Sequence, residues 1–400
     1  MNMELPNLEL VPVTELYRRV QLFQEKLQEF SVDGALITQD VDLYYFSGTS
    51  QRAQLFIPAA GEPVLMVQKS LKRARMESTL DQIVPVPSRK QIPDVLADFG
   101  HRPQVLGLEL DVLPAESFIL YQRLFPSSRM DDVSHLIKEI RAVKSDYEIG
   151  LMERSADIVY RMFAEAPGVI QEGMTEIEVS GLLETLCRRH GHYGIVRVRG
   201  YNQFIVPCHT LFGASGGVPS AMEVVTGGES MTPATGIGGG RRRLVADEPI
   251  YVDCAAGVNG YLADITRTLC RGRLPDRFRR AFALAVEMEE NLVPLLKPGV
   301  TGLEVYQAAK NMVDRTDLAD NFMGIAPDQM RFIGHGVGLE LNEFPPLAQG
   351  AGDQLRAGMV IAIEPTFAFA DGVIGIEDNF VITHDGCRPL RQASRELIEF

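Results

Sequence analysis

Two hairpin signals, each flanked by a pair of acidic residues, strongly constrain how this chain of 400 residues can fold. In the first, YVDCAAGVNGYLADITRTL, the dipeptide Asn259-Gly260 separates two strand-like runs, a pattern typical of a two-residue turn. Such a turn pairs Asp253 with Thr266. Because side chains alternate along a strand, Asp264 then shares a face with Asp253, as a diagonal neighbour about 7–8 Å away.

The second hairpin signal, VIAIEPTFAFADGVIGIEDNFVIT, contains Asp371-Gly372 and predicts a similar turn. This turn pairs Glu364 with Asn379 and leaves Glu377 as the diagonal neighbour on the face of Glu364. The same carboxylate offset is therefore expected in both hairpins. A three-residue turn in either one would move an acid to the opposite face.

Helical segments precede each hairpin, and their order indicates an internal duplication. Each half of the region reads helix, helix, hairpin, with Gly173 and Gly299 at matching turns before the second helix. The sequence contains three capping boxes that open helices, at Ser145-x-x-Glu148, Thr175-x-x-Glu178 and Thr301-x-x-Glu304.

His335 lies between the two acid pairs in sequence, and the five side chains together are of metal-ligand type. Four carboxylates within a few ångströms stay ionised together only when cations neutralise them. An oxygen-rich site with one imidazole suits Mn²⁺, Co²⁺, Fe²⁺ or Zn²⁺ better than a structural zinc site, which would use thiolates. Two such ions about 3.5–4 Å apart would share a bridging water and lower its pKa toward neutrality.

These motifs resemble those of the pita-bread metallopeptidases, which include methionine aminopeptidase, aminopeptidase P, prolidase and creatinase. The similar runs are DITRT after Ala263, FIGHGVGLE around His335, AIEP around Glu364 and IEDNFVIT around Glu377. YRRVQLFQEKLQ, DGALITQ and YYFSGT are similar to the N-terminal domain of the same family. The resemblance implies an α+β protein. A smaller α/β creatinase-like domain would span residues 1–140, and a pita-bread catalytic domain with an internal pseudo-two-fold repeat would span 141–400.

The resemblance also implies roles for the five residues. Asp264 and Glu377 would bridge two divalent ions, Asp253 would bind one ion, and His335 and Glu364 the other. Glu364 would in addition take and return the proton of the attacking water. The chain is most similar to the aminopeptidase P, prolidase and creatinase branch. That branch implies a homodimeric exopeptidase that hydrolyses an N-terminal peptide bond with a metal-bridging hydroxide, of the Xaa-Pro aminopeptidase or prolidase type.

Three positions depart from the proline-directed members of that branch. Asn342 stands where they carry a histidine, residues 234–237 contain no counterpart of a second histidine, and Gly375 replaces an arginine. In the relatives these positions bind the substrate carbonyl, leaving group or carboxylate, so proline specificity does not follow from the resemblance alone. Asn342 can still donate a hydrogen bond to a carbonyl or oxyanion and is a candidate catalytic and substrate-binding residue.

Two further residues are candidates for contact with substrate. His209, in VPCHTLF, begins a long Gly- and Pro-rich segment that we expect to form a wall of the site. Its imidazole could serve as a proton donor in place of the missing histidines, and a histidine bonded to loop backbone is the alternative. Glu343 could orient a substrate amine or His335, while a solvated or capping role fits equally.

Composition narrows the partners and the compartment. A net charge of −14 argues against nucleic acid and anionic membrane surfaces as partners. The opening MNMELPNLELVP lacks a basic leader region and an apolar span, which predicts a cytoplasmic protein. Five cysteines without a Cys-x-x-Cys spacing predict reduced thiols.

Three classes of function fit these observations. The favoured class is the metal-dependent exopeptidase, with a peptide or a small amide as substrate. A second class is a hydrolase or lyase acting on a small non-peptide C–N bond, as creatinase does. A third is a catalytically silent binding protein. Retention of all five ligand residues argues against the second and third classes, because metal-independent or inactive members would be expected to have lost ligands.

Overall fold

The computed structural model describes residues 8–220 and 222–400. Residues 1–7, which begin the opening segment considered above for a leader, lie outside the described residues. The chain forms two compact units, Met1–Arg141 and Ala142–Phe400. Within the described ranges, every helix is too short or too polar to cross a bilayer.

The N-terminal unit is an α/β domain built on a six-stranded mixed sheet with the order β4-β3-β2-β1-β5-β6. Strand β2 runs antiparallel to both neighbours, and the other pairs are parallel. The strands β1, β2 and β3 are buried along their whole length, which is typical of a sheet covered on both faces. The elements are α1 Val13–Glu29, β1 Gly34–Ile37, α2 Asp40–Ser47, β2 Ala53–Pro58, β3 Val64–Val67, α3 Leu71–Glu77, β4 Gln82–Pro85, α4 Ile92–Asp98, β5 Val105–Leu108, α5 Ala115–Leu124, β6 Arg129–Asp132 and α6 Ser134–Ala142.

The C-terminal unit combines helices with sheets that are antiparallel except for the pair β17–β9. Two larger sheets have the orders β11-β10-β12-β15-β16 and β17-β9-β8-β7, and β13 pairs with β14 alone. A large apolar core lies between these strands and the helices α9 and α10. The elements are α7 Asp146–Val169, α8 Glu176–Arg189, β7 Cys208–Phe212, β8 Ile250–Val258, β9 Tyr261–Cys270, α9 Asp276–Leu292, α10 Gly302–Val313, β10 Phe332–Gly336, β11 Glu343–Ala348, β12 Val360–Ile363, β13 Thr366–Phe369, β14 Gly372–Gly375, β15 Asp378–Ile382, β16 Cys387–Pro389 and β17 Ile398–Glu399.

The capping boxes form as predicted at the starts of α7, α8 and α10. The turns before α8 and α10 are bonded in the same way to the chain that leads into each hairpin. Gly173 N donates to Leu244 O at 2.9 Å, and Gly299 N donates to Leu355 O at 3.0 Å. Leu244 precedes Asp253 by the same number of positions as Leu355 precedes Glu364. The matching turns predicted from the sequence are therefore held by matching hydrogen bonds.

The first hairpin has the predicted register. Val258 lies opposite Tyr261 and Asp253 opposite Thr266, which leaves Asp264 opposite Ala255 and diagonal to Asp253. Asn259 and Gly260 both have positive φ, at 51° and 90°. That conformation is the one a two-residue turn of this kind requires.

The second hairpin turns one step earlier than predicted. Phe369 pairs with Gly372, so the two turn residues are Ala370 and Asp371. Ile363 pairs with Asp378 on the other side of the acids, and this register places Glu364 opposite Glu377 and not diagonal to it. The prediction of identical offsets was wrong. Both acids nevertheless stay on one face, because the shift moves each pairing by two residues.

The prediction of reduced cysteines was also wrong for two of the five. Cys208 in β7 lies directly opposite Cys254 in β8, and the two form a disulfide. Cys187 of α8 packs against them, with its Sγ 3.8 Å from that of Cys254. Sequence spacing could not reveal this contact, because 46 positions separate the two cysteines and only the return of the chain beside β7 brings them together.

Candidate metal centre

The two hairpins meet edge to edge beside the acidic residues. Glu377 N donates to Thr266 O at 3.1 Å, and Thr266 Oγ1 donates to Glu377 Oε2 at 2.8 Å. Two positions beyond Glu377, the side-chain amide of Asn379 brackets the backbone of Asp264, with hydrogen bonds of 2.8 and 2.9 Å. These bonds fix the backbones from which Asp264 and Glu377 project.

His335 directs a nitrogen lone pair toward the carboxylates of Asp264 and Glu364. Its Nδ1 lies 2.9 Å from the carbonyl oxygen of Gly336, which can only accept, so Nδ1 carries the proton. Burial lowers the pKa of His335, which keeps the ring neutral. The Nε2 lone pair then faces Glu364 Oε1 at 3.5 Å and Asp264 Oδ2 at 3.8 Å. Lone pairs that face one another in this way are arranged for a cation.

The carboxylates are held in an environment that disfavours their charge. Burial raises the pKa of Asp253 to about 6 and, together with the neighbouring acids, raises the pKa of Asp264, Glu364 and Glu377 well above the usual range. Burial is the largest cause for each of the four, and the charges of the other acids add to it for the last three.

The donor set fits a divalent metal. Asp264 Oδ1 and Glu377 Oε1 are buried and have no hydrogen-bond partner. Ligand atoms of Asp264, His335 and Glu377 all lie within 4.8 Å of one another. Unpartnered carboxylate oxygens beside an imidazole lone pair are the ligands that borderline divalent ions accept. The structure thus brings together all five residues that the sequence proposed as ligands.

A buried arginine holds the backbone at Glu377. Arg267 is 2% exposed, and its Nη1 donates to the carbonyl oxygens of Glu377 and Thr266, both at 2.9 Å. Its Nη2 donates to Asp378 Oδ1 at 2.8 Å. One guanidinium therefore ties both hairpins together immediately behind the ligands.

A cleft opens at the acids. As expected, the long segment after His209 forms one wall, through the consecutive residues 223–226. Asn342 and His209 also line the cleft. The full lining consists of the metal-ligand residues Asp253, Asp264, His335, Glu364 and Glu377, with Ile205, His209, Glu223, Val224, Val225, Thr226, Tyr251, Phe332, Leu341 and Asn342.

His209 has the backbone-bonded arrangement that was the alternative to a proton donor. Its Nε2 donates to the carbonyl oxygen of Thr226 at 3.0 Å. Burial lowers the pKa of His209 to about 4, so the ring is neutral near pH 7 and its one N–H is already used. An imidazole in this state accepts a hydrogen bond and does not supply a proton.

Glu343 is not brought to the cleft. Its Oε2 accepts from Lys144 Nζ at 3.1 Å, and its Oε1 accepts from the backbone N–H of Glu340 at 3.1 Å. Both side chains of the ion pair with Lys144 are almost fully buried, at 1% and 6% exposure. The carboxylate therefore stabilises the segment after His335 and does not face a substrate.

Two ionisable lining residues were missed in the sequence. Tyr251 precedes Asp253 by two positions on β8, so the alternation of strand faces could have identified it. Glu223 lies in an irregular segment that carries no such signal. Tyr251 also explains Gly375: a Cβ at that glycine would lie 2.6 Å from Thr366 Oγ1 and 3.0 Å from Tyr251 Cε2. The space that an arginine would need is filled.

The repeat is broken at one position of the site. His335 of β10 lies opposite Ala362, two residues before Glu364. In the first half, β7 holds the corresponding place beside β8, and Leu211 lies opposite Tyr251, two residues before Asp253. One half therefore contributes an imidazole where the other contributes a buried leucine.

Comparison with known families matches almost the whole chain. The model of metallopeptidase family M24 matches residues 150–384, and that of the creatinase/prolidase N-terminal domain matches residues 19–143. Both predicted domain types, and the pita-bread fold, are thereby confirmed.

Individual relatives extend over the same length. An Xaa-Pro dipeptidase of Pyrococcus furiosus is 27% identical over 385 residues, which cover 95% of this chain and 99% of the relative. An Xaa-Pro dipeptidase structure from Bacillus anthracis superposes with a TM-score of 0.82 at 22% identity, covering 96% of this chain and 100% of that one. An X-Pro aminopeptidase from Thermotoga maritima has a TM-score of 0.78 at 21% identity, covering 94% and 100%. The fold is thus shared by proteins named for both activities.

Proposed function

The chain belongs to metallopeptidase family M24, and from that membership we propose that it is a dinuclear metal-dependent exopeptidase that hydrolyses an N-terminal peptide bond. As a family member it is a metallo-hydrolase. The proposed type is Xaa-Pro aminopeptidase or prolidase, which the named activities of its relatives support. The observation that carries the proposal is the convergence of four carboxylates and the His335 lone pair in one cleft.

The charges of the site support two ions. Asp253, Asp264, Glu364 and Glu377 carry four negative charges when ionised, and two divalent cations balance them. Asp264 and Glu377 each have one buried oxygen without a hydrogen-bond partner, and these two atoms would be free to hold an ion. Mn²⁺, Co²⁺, Fe²⁺ and Zn²⁺ all fit this donor set. Bound there, such ions supply Lewis-acid activation of water and of the scissile carbonyl.

The chain's own residues then handle the proton and the substrate. Glu364 borders the cleft and, as a carboxylate, would take a proton from the attacking water and return it to the leaving amine. Asn342 can donate an N–H to the carbonyl oxygen as charge develops on it. Apolar side chains of Ile205, Phe332 and Leu341 line the same cleft and limit its contact with water.

Metal content and peptide hydrolysis, measured on the same preparation, test this function. We expect stoichiometric divalent metal and turnover of Xaa-Pro peptides, with at least about a thousandfold loss of kcat in Glu364→Gln because the proton carrier is removed. Glu153→Gln, a change at a half-exposed residue of α7 outside the cleft, is the control and should keep full activity. Bound metal without turnover of any peptide would refute the proposal.

Small non-peptide amides belong in the same assay, since turnover of those alone would favour the creatinase-like alternative.

The family resemblance also supports a homodimer. Sedimentation velocity should then give about twice the chain mass of 44.3 kDa, and a monomer at assay concentration would contradict it.

A further inference from the structure

Three cysteines lie together on one face of the sheet that contains β7 and β8, away from the cleft. Asp253 and Cys254 are consecutive on β8, so their side chains point to opposite faces, and Asp253 lines the cleft while Cys254 does not. Cys208 lies directly opposite Cys254 and shares its face. The helix α8 packs against this face, where Ser180 Oγ donates to Cys208 O at 2.7 Å, and it brings the thiol of Cys187 to the pair.

The three sulfur atoms are close enough to bind one ion. All lie within 4.8 Å of one another, and the Sγ atoms of Cys187 and Cys254 are 3.8 Å apart. Two thiolates bound to one tetrahedral zinc ion at about 2.3 Å are themselves about 3.8 Å apart. Cys187 and Cys254 are thus already at the distance of two ligands of one ion. Once the bond between Cys208 and Cys254 is open, rotation about the Cα–Cβ bond of either residue separates their sulfur atoms.

The chemistry of this cluster differs from that of the acidic centre. Each of the three cysteines is at most 1% exposed. Burial raises the pKa of the Cys187 thiol to about 12, so that thiol stays neutral until a cation replaces its proton. Thiolates favour softer cations such as Cu⁺ and Zn²⁺, whereas carboxylates also accept harder ions such as Mn²⁺. Strand β8 therefore carries metal-ligand residues of two different kinds on its two faces.

The disulfide must open before all three sulfur atoms can bind an ion. A dithiol reductant can perform this step by exchange: the reductant is oxidised to its own disulfide, and Cys208 and Cys254 each gain one electron and one proton. A cation that binds then releases the thiol protons to solvent. The oxidised chain has one free thiol in the cluster, that of Cys187, and the reduced chain has three.

We propose that Cys187, Cys208 and Cys254 form a second metal site, which binds one thiophilic cation of the Cu⁺ or Zn²⁺ type when the disulfide is reduced and is closed when it is oxidised. The site shares no ligand with the acidic centre, because the two sets of side chains lie on opposite faces of the sheet. It goes beyond the exopeptidase function and does not depend on it.

Binding of Cd²⁺ to the full-length protein tests the proposal, because thiolates bound to Cd²⁺ give an ultraviolet charge-transfer band and carboxylates do not. The acidic centre is first saturated with Mn²⁺. Cd²⁺ is then titrated into oxidised protein, with three free thiols, and into dithiol-treated protein, with five. We expect the band only after reduction, with saturation at one Cd²⁺ per chain. No band in the reduced protein, an equal band in the oxidised protein, or a disulfide that the dithiol does not open in the folded chain would overturn the proposal.

Replacement of the third cysteine tests the ligand set. Cys187→Ala retains the other two thiols and should weaken Cd²⁺ binding by the reduced protein at least about tenfold. Cys187→Ser, which changes the volume less, is a second variant for the same measurement. Cys270→Ala is the matched control, because Cys270 is a fully buried free cysteine of β9 outside the cluster, and it should keep the band and the affinity. Wild-type affinity in both Cys187 variants would exclude the three-thiol site.

Discussion

Arg267 holds the backbone of Glu377 from behind the ligands. The guanidinium is buried, satisfies two backbone carbonyls and pairs with Asp378, whose other oxygen lies 3.5 Å from Arg395 Nε. Removing it leaves those carbonyls and a buried carboxylate with fewer partners. The effect should appear in metal binding as well as in stability, because the ligand's own backbone is released.

We therefore predict that Arg267→Met lowers the free energy of unfolding by about 3–5 kcal/mol and weakens metal affinity about 10- to 100-fold. Arg267→Lys keeps the charge but loses the forked set of N–H donors, so its stability and metal affinity should lie between those of the wild type and Arg267→Met. Arg273→Met is the control, since that side chain is 78% exposed. Denaturant unfolding and metal titration measure the two effects, and unchanged metal affinity in Arg267→Met would contradict the positioning role.

At the scale of single residues, the sequence predicted which five candidate ligands lie together better than it predicted their surroundings. Asp253 and Asp264 lie on strands whose two-residue alternation fixes their face. Glu364 directly follows β12 and Glu377 directly precedes β15, so the pairing of these strands fixes their positions. His335 lies in a motif similar to that of known relatives. The surroundings of Glu343 and His209 could not be predicted. The first is decided by an ion pair with Lys144, about two hundred positions away, and the second by a carbonyl of an irregular segment.

At the scale of elements, hairpin turns decide the geometry of the site. Asn-Gly is a strong turn signal, and the first hairpin obeys it. In the second, the sequence offers Ala370-Asp371 and Asp371-Gly372 as adjacent choices. The structure adopts the first, which lets Gly372 start β14 packed against Pro249 and Phe278, where a Cβ would lie within 3 Å of both. Tertiary packing thus overrode the local preference.

The first turn allows a prediction for this element. Gly260 has a φ of 90°, which side chains rarely adopt, so Gly260→Ala should destabilise the protein by about 1 kcal/mol. Gly386→Ala is the matched control, because a Cβ there meets nothing within 4 Å and its φ is not positive. Urea unfolding of the two variants measures the difference. Equal midpoints would mean that the turn can relax without loss.

At the scale of the whole molecule, the four buried carboxylates of the site oppose folding when they are ionised and no cation is bound. Folding raises the pKa of Asp253 from 3.8 to about 6, so the folded metal-free protein holds this proton more tightly than the unfolded chain does. The resulting stabilisation is complete below about pH 4 and is lost as the pH rises through about 6, with a magnitude of roughly 3 kcal/mol. The other acids shift in the same direction.

A bound cation removes this penalty because it stabilises the ionised forms. We predict that the difference in melting temperature between metal-loaded and chelator-treated protein widens between about pH 4.5 and pH 7. Thermal melts across that range, with and without chelator, measure it. In chelator, Asp253→Asn should show a weaker pH dependence than the wild type, and a gap that stays constant with pH would contradict the prediction.

The internal repeat is broken where one half has a histidine and the other a leucine, and this difference affects how metal ions would occupy the centre. Two identical copies of the hairpin motif would form two equivalent metal-binding sites. Here one copy has His335 and the other has Leu211 at the corresponding position of the neighbouring strand. Two ions bound here would therefore differ in ligand number and in affinity. A calorimetric titration should resolve a tight and a weak step, and in dilute metal the protein would exist mainly as a half-filled species, whose activity is set by the ambient supply of ions.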